Sequence, residues 1–192
     1  MSRRAEIADA AIRTLARDGM RGLTHRAVDR AAGLPEGSAS YYFRTRQALL
    51  RATVERLAEL DSADMLNGTG VPARPGEGLD AFADAAAAII ESWLTTGRER
   101  QLARYELALE ANRRPELRQA LAASGATIRA AVAGWFAVAG VREPGQRAAD
   151  FVAFLDGLLF DQLAGAGARE LTTADLRTAA RTLLTAVTGP GS

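Results

Sequence analysis

The sequence contains no cysteine and only one histidine. Disulfide frameworks, thiolate metal sites and cysteine nucleophiles are therefore excluded, and a reducing, cytoplasmic setting fits this composition. A di-iron helical bundle needs Glu-x-x-His pairs, which the lone His25 cannot supply. Because no defensible spacing of nucleophile and base is present either, we expect no metal, no cofactor and no enzymatic activity.

Long apolar runs and a strong net charge are also missing. No apolar run has the length of a membrane span, and the start at Arg3-Arg4 leads into an amphipathic stretch unlike a signal peptide. We expect a cytoplasmic protein without a membrane partner. The net charge is only +1, but residues 1–60 carry 11 arginines against seven acids, and the rest carry 13 against 16. A basic N-terminal segment followed by a mildly acidic remainder is typical of a polyanion-binding module attached to a second domain.

Apolar residues recur every three or four positions, which predicts an all-α protein of about nine helices. Thr24 and Thr45 are candidate N-caps, and Gly33 is a candidate stop. The predicted helices are Arg3–Arg17, His25–Ala32, Pro35–Tyr42, about 45–66, and then roughly 79–96, 98–112, 115–139, 146–164 and 173–188. The stretch from Asn67 to Gly78 has four glycines and two prolines, so we interpret it as a linker.

Two short helices joined by a tight glycine turn predict a helix-turn-helix between Thr24 and Phe43. Gly33 permits the positive φ that such a turn requires. A small core would fix the angle between the two helices, formed by Val28, Ala32, Leu34, Ala39 and Phe43.

In these residues the chain resembles the TetR family over about its first 55 positions. The matching features, in order and spacing, are Gly33-Leu34, Gly37-Ser38, Tyr41-Tyr42-Phe43 and Arg46-Gln47-Ala48-Leu49-Leu50. The resemblance implies a helix-turn-helix DNA-binding domain, which we assign to residues 1–46. It also implies an effector-binding and dimerisation bundle, which we assign to residues 47–192, with the fourth helix as the link.

Two residues depart from the family pattern. Asp29 stands where many members have a small alanine; it either accepts backbone donors at the start of the third helix or pairs with Arg26 or Arg30. Ser40 stands where a tyrosine is common, so that tyrosine's phosphate contact is not transferred to this chain.

The candidate DNA contacts fall into two groups. Residues of the reading helix would face the major groove, and residues at helix starts would hold phosphates. The groove-facing candidates are Glu36, Gly37, Ser38, Ala39, Ser40 and Tyr41; the phosphate candidates are Thr24, His25, Arg26, Tyr42, Arg44, Thr45 and Arg46. None of the first group offers the bidentate Arg–guanine or Asn–adenine pairing that names a base, so the operator sequence stays open.

Two further sets concern the larger domain. An effector pocket of apolar walls with few polar anchors is implied by the resemblance, with candidates Trp93, Tyr105, Glu106, Leu109, Ile128 and Trp135. The segment from Phe151 to Ala164 is apolar on nearly all sides and must be covered. With the last helix it predicts half of a four-helix dimer interface, with candidates Phe151, Leu155, Leu158, Leu159, Leu176 and Leu183.

The function predicted from these features is a sequence-specific transcriptional regulator that binds a double-stranded DNA operator. The leading version is a homodimeric repressor released by a small-molecule effector of unknown identity. An activator, or a DNA-binding regulator without a ligand, remains an alternative. A helical enzyme that carries this helix-turn-helix at its N-terminus is a remote alternative.

Overall fold

The computed structural model describes residues 2–67, 78–167 and 171–189. Within these ranges the chain forms nine α-helices and no strand, which confirms the all-α prediction. The helices are α1 Arg3–Gly22, α2 His25–Ala32, α3 Ser38–Tyr42, α4 Arg46–Asn67, α5 Gly78–Leu94, α6 Arg98–Ala111, α7 Pro115–Val138, α8 Pro144–Leu163 and α9 Thr173–Thr188.

The limits of α2 follow from the two residues expected to set them. The Ala27 amide donates to Oγ1 of Thr24 at 3.1 Å, so Thr24 is the N-cap. Gly33 ends the helix at φ 65°, and the amide of the next residue, Leu34, donates to the Asp29 carbonyl at 2.9 Å. Both predictions are confirmed, and the turn that follows is as short as a helix-turn-helix requires.

One predicted helix limit was confirmed and one was wrong. Gly19 leaves the helical conformation close to the predicted end of α1 at Arg17, and a further helical turn continues to Gly22. Helix α3 begins at Ser38 rather than Pro35, because Pro35 and the next two residues form a turn in which the Ser38 amide donates to the Pro35 carbonyl. The predicted linker, apart from Asn67 and Gly78, lies outside the described residues.

The chain packs into two compact units, each built from two separate segments. The first unit comprises Met1–Asp61 and Gly97–Ser124, and the second comprises Ser62–Thr96 and Gly125–Ser192. Helices α4 and α7 therefore contribute residues to both units. The functional division after residue 46 stays a prediction.

The core of the first unit is mostly aliphatic. Its buried positions recur at helical spacing along α1, where Ile7, Ala11 and Leu15 are fully buried. They pack with apolar residues of α2, α4 and α6, among them Leu49 and Leu107. This packing holds the three N-terminal helices against α4 and α6 within one core.

The core of the second unit is aromatic. The Phe82 ring stacks on Trp135 with 4.5 Å between centroids, and lies 5.4 Å from both Phe136 and Phe151. Edge-to-face and stacked rings at these distances add to the free energy of burial. Helices α5, α7 and α8, which carry these rings, therefore share an aromatic core in the second unit.

Although no apolar run was expected to have the length of a membrane span, helix α7 is long and apolar enough, by length and composition alone, to cross a membrane. Core helices of soluble proteins pass the same test, and a single such helix is weak support for a span.

Candidate nucleic-acid interface

The angle between α2 and α3 is set by a small apolar core. Val28, Ala39 and Phe43 are buried there, and Ala32 and Leu34 pack against them partly exposed. All five were predicted from the sequence to form this core, and the structure confirms it. This core packs α3, the helix expected to read the major groove and called the reading helix below, against α2.

Asp29 fastens α3 to α2. Its side chain is only 2 % exposed, and its two carboxylate oxygens accept hydrogen bonds from the backbone amides of Gly37, at 2.8 Å, and Ala39, at 2.7 Å. Of the two alternatives open for Asp29, the contact with the start of the third helix is confirmed. Hydrogen bonds to an ionised carboxylate are short and strong, so the carboxylate fixes where the reading helix begins.

The outward face of α3 carries Tyr41, which is 79 % exposed, and Ser40, which is also exposed. The Ser40 hydroxyl donates to the Gly37 carbonyl at 2.9 Å, so its oxygen still has lone pairs that can accept. A large phenol and a small hydroxyl thus project from one short helix, with the open backbone at Gly37 beside them. Such a surface suits close approach to base edges in the major groove.

The turn before α3 is polar and exposed. The Ser38 hydroxyl donates to the Pro35 carbonyl at 2.7 Å. Glu36 pairs with Arg26 at 3.3 Å, and both side chains are about 70 % exposed. Such an exposed pair is weak, so Arg26 can exchange its carboxylate partner for a phosphate.

Hydroxyl and arginine groups lie at the starts of the neighbouring helices. Thr24 and Thr45 are exposed N-caps; Oγ1 of Thr45 accepts from the Ala48 amide at 3.0 Å, as predicted. Arg44, just before Thr45, is exposed and has no ion-pair partner among the described residues. Tyr42 is half-buried, and its ring makes a T-shaped contact with the ring of Tyr41, with 5.2 Å between centroids.

Three of the predicted DNA contacts are engaged inside the protein. Ala39 is fully buried in the helix-turn-helix core and cannot reach a groove. His25 is half-buried, and its Nε2 lies 2.6 Å from the carbonyl oxygen of Phe43, so it ties α2 to the end of α3. Arg46 donates to the carbonyls of Met20 and Leu23.

Arg4 also lies at this surface, although the sequence did not predict it. Its guanidinium lies 4.5 Å above the Phe43 ring and donates to the Tyr42 carbonyl at 3.1 Å, although the side chain is exposed. It therefore sits beside the end of the reading helix, near Tyr42. The only signal in the sequence was a basic pair at the very start, which has no fixed place before folding.

The six predicted pocket residues divide between the two units. In the first unit Tyr105 is buried, Leu109 is 61 % exposed, and the Glu106 carboxylate accepts the Met20 amide at 3.0 Å. In the second unit the ring of Trp135 stacks on Phe82, and Ile128 is half-buried. Trp93 donates from Nε1 to the carboxylate of Asp64 at 3.2 Å.

The predicted interface residues also divide, here by burial. Phe151, Leu159 and Leu176 are buried inside the protomer, so they belong to its own core and offer no surface to a partner. Leu155, Leu158 and Leu183 are half-buried. The large exposed apolar side chains of α8 are instead Phe154, at 51 %, and Phe160, at 42 %. Periodicity alone did not tell the two faces apart because both are apolar.

Two family models match the sequence. Residues 7–53 match the bacterial regulatory proteins of the tetR family, and residues 77–190 match the tetracyclin repressor-like C-terminal domain. The first match contains α2 and α3. No curated protein matches the chain.

Solved structures agree over the whole length. A TetR family member from Streptomyces coelicolor A3 is 30 % identical, with 99 % of this chain and 100 % of that chain covered and a TM-score of 0.74. The multidrug binding protein EbrR in complex with ethidium is 28 % identical, with 98 % and 100 % covered and a TM-score of 0.75. A transcriptional regulator from Rhodococcus sp. Rha1 shares the fold at 21 % identity, with 97 % and 96 % covered and a TM-score of 0.79.

Proposed function

This chain belongs to the TetR family of bacterial transcriptional regulators, and from that premise we propose that it is a homodimeric repressor released from its operator by a small organic ligand. The observation that carries the DNA-binding part is the geometry of α3. Its start is fastened by the Asp29 carboxylate, and its free face presents Tyr41 and Ser40. Thr24, Thr45 and Arg44 supply phosphate contacts around it. We propose a cytoplasmic location, because a bacterial regulator that binds chromosomal DNA must be in the compartment that holds the chromosome.

A five-residue reading helix contacts few base pairs, so one copy offers little specificity. A twofold dimer would place two copies of α3 in successive major grooves, about 34–36 Å apart, and would double the contacts. The exposed Phe154 and Phe160 support a dimer that forms through α8, because large exposed apolar side chains on one helix favour burial against a partner.

The ligand proposal is supported by EbrR, which was crystallised with ethidium, an aromatic cation. In the second unit of this chain the carboxylate of Asp64 and the indole of Trp93 lie side by side. An indole attracts a cation over its face, and a carboxylate attracts it by charge. We therefore propose an aromatic cation as the class of ligand.

In vitro selection from a random pool of duplex DNA tests the DNA-binding proposal. We expect enrichment of a pseudopalindrome whose half-sites lie one helical turn or a multiple of it apart. Affinity for it should fall steeply with salt, because arginine–phosphate contacts release counterions. Recovery of no enriched sequence, or of an asymmetric one, would contradict the dimeric DNA-binding model.

Ethidium tests the ligand proposal in two steps. We expect it to raise the melting temperature of the protein, because a ligand shifts a population only if it favours one state. It should lower operator affinity more in the parent protein than in Asp64→Asn, because intercalation of ethidium into the duplex affects both proteins alike. In Asp64→Asn the rise in melting temperature should shrink. Stabilisation without loss of operator affinity would instead favour the alternative, a regulator or activator that ethidium does not release from DNA.

A further inference from the structure

Helix α1 is broken near its end by Gly19, which has φ 66° and ψ −173°. This backbone region is essentially restricted to glycine. The break directs the amide of Met20 away from its own helix, and that amide donates to Oε2 of Glu106 on α6 at 3.0 Å. A backbone donor of α1 is thus satisfied by a side chain that lies 86 positions later in the sequence.

The carbonyl of the same residue, Met20, is held by α4. Arg46, the first residue of α4, donates to the Met20 carbonyl at 2.5 Å and also to the Leu23 carbonyl. Two helices therefore bind the segment from Gly19 to Leu23, which we call the α1 joint. All of these residues belong to the first unit.

The joint has little room to rearrange. A Cβ at Gly22 would lie 2.3 Å from the Cβ of Asp18, and a Cβ at Gly19 would touch the Glu106 carboxylate at 3.4 Å. Leu23, at the end of the joint, is fully buried and directly precedes Thr24, the N-cap of α2. The joint therefore leads directly into α2.

We propose that Glu106 is a positioning residue for the DNA-binding helices. By accepting the Met20 amide it sets the direction in which α2 leaves the joint, and Asp29 passes that direction to α3. A shift of α6 would thus reach the reading helix through one hydrogen bond. The proposal rests on the proposed DNA-binding function, and it replaces the role of Glu106 as a pocket anchor.

The chain offers a matched control one turn along the same helix. Glu110 carries the same group, but its carboxylate accepts from Arg114 at 2.6 Å and lies 3.7 Å from Arg113. The hydrogen bond from Arg114 holds the pKa of Glu110 below its ordinary value. Among the described residues Glu110 accepts no hydrogen bond from Met20, and the charge of Arg46 lowers its pKa only as a lesser cause. Glu110→Ala therefore perturbs α6 without removing the hydrogen bond to Met20.

Binding to the selected operator and to a random duplex gives the first readout. We expect Glu106→Ala to weaken operator binding by roughly tenfold, a usual size for coupling between sites, and to leave random-duplex binding unchanged. Glu106→Gln keeps an amide oxygen that can accept from Met20, and should restore most of the affinity. Glu110→Ala should bind the operator as the parent protein does.

Amide hydrogen exchange by NMR gives a readout that needs no operator. In Glu106→Ala we expect faster exchange at Met20, and also at Ala39, whose amide reports the attachment of α3 to Asp29. Glu110→Ala should leave both amides unchanged. The proposal is overturned if Ala39 exchanges alike in both alanine variants, or if both lose operator affinity equally. Failure to select any operator, with the expected change at Ala39, would reject the DNA-binding function and keep the positioning role.

Discussion

At the scale of single residues, the Asp29 carboxylate satisfies two backbone amides at once. Asp29→Ala would leave the amides of Gly37 and Ala39 without this partner, and should lower the free energy of unfolding by about 2–3 kcal/mol. Operator affinity should fall as well, because α3 loses its attachment. Urea unfolding and operator titration at fixed salt measure the two effects.

Thr53→Val is the control for Asp29→Ala. It removes one buried hydroxyl that donates to the Leu49 carbonyl, in the same unit but inside α4. Its cost should stay near 0.5–1 kcal/mol, with operator affinity unchanged. Equal losses in the two variants would contradict the attachment of α3 by Asp29.

At Tyr41 we expect a loss of DNA binding without a loss of stability, since its side chain is 79 % exposed. Tyr41→Ala should change the free energy of unfolding by less than about 0.5 kcal/mol. Operator affinity should fall by roughly tenfold or more, while binding to random duplex stays the same. Val138→Ala, at a side chain 64 % exposed on α7, should alter neither quantity. A parent-like operator affinity in Tyr41→Ala would remove Tyr41 from the reading surface.

Residue types predicted the caps and the helix-turn-helix core, but not the partners of long side chains. Thr24 and Gly33 act through backbone groups next to them in the sequence, so local pattern was sufficient. Arg46 was assigned to phosphate because it begins a helix; its carbonyl partners lie 23 and 26 positions earlier. Contacts of that range depend on packing, which no local pattern contains.

At the scale of elements, α1 and α4 are joined by an ion pair at the edge of their core. Arg56 of α4 binds both carboxylate oxygens of Asp9 at 2.7 and 3.2 Å, and both side chains are only 21 % exposed. Arg56→Met should lower the free energy of unfolding by about 1 kcal/mol, because the pair is bidentate and partly shielded from water.

Arg51 on the same helix provides the comparison. It pairs with Glu55 at 2.8 Å, but these side chains are 76 % and 56 % exposed. Arg51→Met should therefore have almost no effect in the same urea titration. A larger loss in Arg51→Met than in Arg56→Met would contradict the importance of the α1–α4 pair.

Helix α9 is fixed at its start by a capping box. The Thr172 hydroxyl oxygen accepts from the Asp175 amide at 3.2 Å, and the Asp175 carboxylate accepts from the Thr172 amide at 2.9 Å. Thr172→Ala should cost about 1 kcal/mol of stability. Thr182→Ala, at an exposed position inside the same helix, should be neutral or slightly stabilising, because alanine is the better helix former. Equal thermal shifts in both variants would exclude the capping role.

The number and order of the helices followed from the periodicity of apolar residues, whereas the interior of α1 did not. The stop signal Asp18-Gly19 was confirmed, because Gly19 leaves the helical conformation, but the helical turn that follows it was not predicted. The chain turns out of the helix there and then re-enters it, because Glu106 accepts the freed amide of Met20. A stop signal predicts only where the helix before it ends. The helical turn after Gly19 depends on Glu106 of α6, which is distant in the sequence, so no local pattern predicts it.

At the scale of the whole molecule, the dimer proposal depends on the exposed face of α8. Phe154→Asp would place a charge where we expect a partner's apolar surface, and should yield monomers in light scattering after gel filtration. Operator affinity should fall by about a hundredfold or more, because the second half-site no longer binds within the same complex.

Tyr41→Asp serves as the control for Phe154→Asp. It replaces another exposed aromatic side chain by a charge, but in the first unit, whereas α8 belongs to the second. It should remain dimeric while it loses the operator. Dimers of unchanged stability in Phe154→Asp would place the interface elsewhere.

The two units also differ in their aromatic chromophores. Both tryptophans, Trp93 and Trp135, belong to the second unit, whereas all three tyrosines, Tyr41, Tyr42 and Tyr105, belong to the first. Light at the long-wavelength edge of absorption excites indole alone, and shorter wavelengths add the phenols. Each half of the molecule therefore has its own optical signal, and the order in which the halves lose structure can be recorded without attaching a dye.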